Sequence, residues 1–299
     1  MKEETREEKI RRLIEQHIQD RNMDPKSITE HYSKNDFGIQ LDPDYYDISL
    51  KVGWGFFKDK PRFLDHMTRQ MIISVFLAYR GTIGCYHQGK KGVMMGVTYE
   101  QMLEAYEVGR IVGGGPVLVH GLAALKRMAD EGVKPGSQPG PWTGKWVPLG
   151  SSTPIAEKEG EEEVASKTRE EKILRMIQKY HPDEEGELNK DLAFGVNLDP
   201  EFFEIYAPMA WSFFADKPRH LDPIRREMIM LGILAFQGRR EEIYLHTKKA
   251  LGFGATMEQL LEAFEVVGST GGGLEVLMEG LRVLRRIHEE QRGNVCPAG

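Results

Sequence analysis

Cysteine is nearly absent from this chain of 299 residues, which holds only Cys85 and Cys296, the second in a loose tail over 293–299. So few thiols exclude the stapled scaffold of a small secreted domain and fit a reducing compartment. Long apolar runs are missing as well. No stretch approaches the roughly 20 apolar residues of a membrane span, and residues 1–12 are charged where a signal peptide would carry an apolar core. A basic face is also lacking: the formal charge of -6 is spread over mixed acidic and basic runs, so nucleic acid is not an expected partner. His-rich metal spacing is absent, and neither a metal nor a cofactor is expected. What remains is a soluble, cytoplasmic protein long enough for two domains that each bury a core.

What is present is self-similarity. Thr5-Arg-Glu-Glu-Lys-Ile10 returns as Thr168-Arg-Glu-Glu-Lys-Ile173, and Leu41-Asp-Pro43 with Tyr45-Tyr46 returns as Leu198-Asp-Pro200 with Phe202-Phe203. Trp54-Gly-Phe-Phe57 returns as Trp211-Ser-Phe-Phe214. The shift from Leu41 to Leu198 is 157 residues, whereas Gly113-Gly-Gly115 matches Gly271-Gly-Gly273 at 158, so the first copy lacks one residue between Arg69 and Gly96. A recurrence in this order marks an internal duplication. The expected division is a first repeat over 1–130, a linker over 131–167 rich in Pro, Gly, Ser and then acid, a second repeat over 168–290 and a tail over 291–299.

Each copy reads as helical, which makes the fold class all-α, two tandem helical domains. Thr98 and Thr256 each precede a Gln by three residues, a capping box that opens an amphipathic helix. Leu103 with Tyr106, and Leu261 with Phe264, then share one face. The triple glycines stop that helix, and Pro116 is placed to begin the next. An earlier helix is expected over 65–79 and 222–236, with Met71, Ile72, Val75 and Phe76 on its apolar side. No strand alternation is convincing. The triple glycines follow no strand and therefore do not read as a phosphate loop.

The order helix, Gly-containing turn, helix, Gly-x-Thr cap, helix, triple-Gly break, helix resembles the carboxymuconolactone decarboxylase and alkylhydroperoxidase D family over most of both copies. In the alkylhydroperoxidase D branch a Glu on the first of these helices precedes a Cys-x-x-Cys-x-x-x-His motif on the second. The resemblance places Glu227 at the acid position and His246 at the histidine, with Arg239 and Glu242 where the cysteines would stand. In the first copy Gln70 replaces the acid, Thr82 replaces one cysteine, Cys85 matches the other, and His87 or Gln88 falls near the histidine.

Reducing a hydroperoxide through a vicinal dithiol needs a second thiol to resolve the first as a disulfide, and neither copy offers two. Removing carbon dioxide from a lactone acid needs other parts: a cation to seat a carboxylate, an acid to protonate the carbanion, and a carbonyl as electron sink. Glu227 and His246 supply a proton-transfer pair, and Arg69, Arg226, Lys248 and Lys249 are candidate anion ligands. The expected function is therefore that of a carboxymuconolactone decarboxylase-like carboxy-lyase acting on a small carboxylated ring or lactone. Its alternatives are an antioxidant peroxidase using Cys85 and His87, or a small-molecule-binding scaffold without turnover. Glu107 and Glu265 recur as possible pocket residues, and His120 reads as structural.

The resemblance also implies assembly, because such domains often form rings of six. Three fused chains are expected to associate. Light scattering at micromolar concentration should give a trimer mass, and a monomer mass would contradict this expectation.

Overall fold

The computed structural model describes residues 4–20, 37–50, 63–137, 168–180, 187–212 and 219–293. Residues 138–167 of the expected linker, the aromatic segment at 54–57, Phe213, Phe214 and Cys296 lie outside them. Among the described residues there is no strand. In chain order the helices are α1 (Arg6–Asp20), α2 (Pro43–Leu50), α3 (His66–Tyr79), α4 (Gly84–Met95), α5 (Tyr99–Gly113) and α6 (Gly115–Asp130). Then follow α7 (Arg169–Tyr180), α8 (Glu187–Leu198), α9 (Pro200–Ala207), α10 (Pro223–Phe236), α11 (Arg240–Gly252), α12 (Met257–Val267) and α13 (Gly273–Gly293). The fold is all-α.

Local chemistry starts the helices where the sequence says they begin. Asp65 accepts the Thr68 N–H at 2.8 Å ahead of α3, and Asp222 accepts the Arg225 N–H at 2.9 Å ahead of α10. Both capping boxes are closed. Gln101 N–H donates to Thr98 Oγ1 at 3.2 Å while Thr98 N–H donates to Gln101 Oε1 at 2.9 Å, and Thr256 with Gln259 repeats both distances.

At the triple glycines the structure corrects the sequence alignment by one residue. Between α5 and α6 the chain turns at Gly114, with φ 78° and ψ -177°, and the same corner in the second half is Gly273, with φ 74° and ψ -175°. That is a shift of 159, one more than at the preceding helix. The extra residue is taken up by a π-helical turn over Gly268–Gly272, the usual way a helix absorbs a single insertion. Positive φ explains why both corners are glycine. Beyond the corner, Gly121 and Gly280 let α6 and α13 close on the rings of Tyr106 and Phe264, where any added Cβ would overlap the ring.

In the first half α3 packs against α4, α5 and α6; in the second α10 packs against α11, α12 and α13. The halves also interlock, because α10 lies on α3 and α5 while α12 lies on α3. One apolar cluster runs through both, from Met71, Val75 and Phe76 to Met228, Leu231 and Ile233. Helices α1 and α2, and α7 to α9, gather on small clusters of their own around Leu13 and Val196.

Within the shared core stand two matched ion pairs. Arg69 of α3 holds Glu262 of α12 at 2.5 Å, and Arg226 of α10 holds Glu104 of α5 at 2.8 Å. Each carboxylate also accepts two backbone N–H groups from the segment that leads into the other half's first long helix. Glu262 takes Phe63 at 2.7 Å and Leu64 at 2.8 Å, and Glu104 takes His220 at 2.6 Å and Leu221 at 3.1 Å. Where α10 meets α3, Arg225 bridges to Thr68 Oγ1 at 2.7 Å and to Asp65 at 2.7 Å. Glu104, Glu262 and Arg225 are wholly buried.

Removing one partner from such a pair strands a charge in the core. Glu262→Ala should therefore lower stability by about 3–5 kcal/mol, and adding Arg69→Met should recover only part of the loss, because the Phe63 and Leu64 N–H groups stay without their acceptor. Urea unfolding of the three proteins checks this; equal stabilities for the single variant and the parent would refute it.

Candidate functional site

The turn after α3 or α10 decides which side chains face each other. Up to Gly81 and Gly238, both with positive φ, the two halves stay at a shift of 157. From Tyr86 and Tyr244 onward the shift is 158, and this register is certified by a repeated cluster. Tyr86 donates to Glu131 at 2.5 Å with the Arg127 guanidinium 3.9 Å from its ring centre; Tyr244 donates to Glu290 at 2.7 Å with Arg286 at 3.8 Å. Lys90 and Lys248 donate to the same hydroxyls at 3.3 Å. The residue missing from the first half thus lies between Gly81 and Tyr86, and the family histidine position there is Gln88 rather than His87.

In the second half the structure brings the two expected residues together. Glu227 projects from the middle of α10 and His246 from α11, with Nδ1 2.5 Å from Oε2. Glu227 is buried, and the His246 side chain keeps 21 % of its exposure. A carboxylate accepts from Nδ1–H and leaves Nε2 as the nitrogen able to take up or deliver a proton. Both residues sit on packed helices rather than on a loop, which limits their freedom to drift from this geometry.

The other expected residues are placed differently. Arg69 and Arg226, read in the sequence as anion ligands, hold Glu262 and Glu104 instead. Lys248 is exposed and lies 5.1 Å from the Tyr244 ring centre, and Lys249 is half-buried in the last turn of α11. Cys85 takes the place of the core residue Ile243. It is 5 % exposed, its Sγ lies 3.9 Å from the His120 carbonyl oxygen, and burial pushes its thiol pKa up, the reverse of what a reactive thiolate needs. His87 stacks edge-on against Tyr86 with centroids 5.0 Å apart. His120, read as structural, corresponds to Glu279, which binds Arg240 through both oxygens at 2.9 Å.

Glu104 and Glu262 were not singled out in the sequence, although each stands between apolar neighbours at a matching place. Glu107, which was, receives a hydrogen bond from Arg219 at 3.2 Å across the halves, and burial raises its carboxyl above the usual range. Among the described residues no group of acidic, Cys and His side chains is arranged to hold a metal ion, and no helix is long and apolar enough to cross a membrane.

Residues 200–286 match the carboxymuconolactone decarboxylase family. The matched stretch contains Glu227, His246 and the whole of α10 to α12. The chain is also 26 % identical over 92 residues to an uncharacterized protein of Methanocaldococcus jannaschii, a match covering 31 % of this chain and 83 % of that protein.

One titration is distinctive to the first half. His66 Nδ1 lies 3.1 Å from Arg69 Nη1, and burial, then the charges of Arg69 and Lys91, hold its pKa down at about 4. Between its ordinary value near 6.5 and about 4, the unfolded chain binds a proton that the folded chain refuses. Stability should therefore fall as pH drops through that window. His66→Gln should flatten the fall, read from urea midpoints at about pH 7 and about pH 5; an unchanged slope would contradict the assignment.

Proposed function

We propose that the second half is a proton-transfer enzyme site of the carboxymuconolactone decarboxylase type, acting on a small carboxylated ring or lactone. The observation that carries this reading is the 2.5 Å contact between Glu227 and His246 inside the family-matched stretch. Decarboxylation breaks the bond between the ring carbon and the carboxylate, leaving its electron pair on a carbon conjugated to the lactone carbonyl. His246 then protonates that carbon, and the imidazole recovers its proton from solvent. Glu227 orients the ring and stabilises the protonated imidazole. Lys249, in the same helix, is the candidate to attract the substrate carboxylate. A redox cycle at Cys85 finds no support in its burial and raised pKa.

The test is carbon dioxide release from a panel of γ-lactone carboxylic acids. Glu227→Gln and His246→Ala should each lower turnover by about 10²- to 10⁴-fold with the fold retained, and Cys85→Ser or thiol alkylation should leave it unchanged. Peroxide consumption with a thiol donor that disappears in Cys85→Ser would move the site to the first half. Ligand binding without turnover would make the protein a binder.

A further inference from the structure

We propose that the first half carries a second ligand site, one that binds a small hydroxycarboxylate without turning it over, built on Gln70 and Gln88. The inference rests on the preceding reading only in taking the equivalent positions of the second half as facing a ligand. Gln70 follows Arg69 as Glu227 follows Arg226, and Gln88 follows Tyr86 by two residues as His246 follows Tyr244. An amide at each position cannot exchange protons at neutral pH, but it presents both a donor and an acceptor.

Independent observations point to an occupant. Gln70 is only 7 % exposed, yet its Oε1 is buried with no hydrogen-bond partner among the described residues. A buried carbonyl oxygen left without a donor is unfavourable, and a hydroxyl brought by a ligand would satisfy it. The side chain is also placed against the helix face that carries Gln88. A Cβ built on Gly92 would lie 3.2 Å from Gln70 Cβ, and Gly92 lies one turn beyond Gln88 on α4. In the second half that position is Ala250, so the first half has one methyl less beside the amide.

Charge selects the rest of the ligand. Replacing the acid by an amide removes the negative charge from the position, and Lys91, near enough to depress His66, adds positive charge, the charge of Arg69 being already matched by Glu262. A carboxylate is favoured near that charge, and the Gln70 or Gln88 amide N–H can donate to it. The ligand class is therefore a small molecule carrying a carboxylate and a hydroxyl.

Calorimetric titration with malate, and with succinate as the analogue lacking the hydroxyl, tests the proposal directly. The full-length protein should bind malate saturably and succinate at least about tenfold more weakly, the worth of one hydrogen bond to a buried acceptor. Gln70→Met keeps the volume and removes the orphaned oxygen, so it should fold at least as well and lose malate binding; Gln88→Ala should weaken it. Lys126→Ala, on the exposed face of α6, should leave malate binding unchanged. No saturable malate binding, equal binding of succinate, or binding that survives Gln70→Met would overturn the proposal. Because binding is read without turnover, failure of the decarboxylation assay would count against the second-half reading alone.

Discussion

Two buried arginine–glutamate pairs organise this protein. Arg69 with Glu262 and Arg226 with Glu104 cross from one half to the other, and each glutamate also receives the backbone of the segment entering the partner half. A buried ion pair is not in itself a large source of stability, because desolvation offsets its attraction. Its geometry is nonetheless demanding. Every lone pair must find a donor, so the halves are held in one relative placement in which α3, α5, α10 and α12 share a single core.

That constraint reaches the candidate sites through the chain itself. Arg69 precedes Gln70 and Arg226 precedes Glu227, so anchoring each guanidinium fixes the pitch of the helix at the next residue. The same clasp therefore sets the acid of the second half and the amide of the first. Around this common frame the halves differ in chemistry. Glu227 and His246 form a carboxylate–imidazole contact, while Gln70 and Gln88 keep hydrogen-bonding capacity without a titratable charge. Two single-residue differences in length, one before Tyr86 and one at Gly268–Gly272, are absorbed at helix ends, where a turn or a π-bulge accommodates them without disturbing the packed faces.

Much of the fold was legible before any coordinates. The capping boxes at Thr98 and Thr256, the caps at Asp65 and Asp222 and the break at the glycines are local signals that depend on neighbours three or four residues away. The meeting of Glu227 with His246 was legible only through the family resemblance, since 19 residues and a turn separate them. The role of Arg69 and Arg226 was misread because an arginine beside a candidate acid looks like an anion ligand, whereas its partner stands on a helix of the other half.

The sequence by itself determined that the chain is helical, that its motifs recur in order and where most helices begin, because capping, periodicity and repetition are read directly from the residues. Only the tertiary structure decided the register of the divergent site, placing Gln88 and not His87 opposite the second-half histidine. It alone consigned Cys85 to the core and joined the halves through Glu104 and Glu262. Those outcomes depend on which faces meet across separations from 35 to 193 residues of chain, and packing of that range leaves no trace in local spacing.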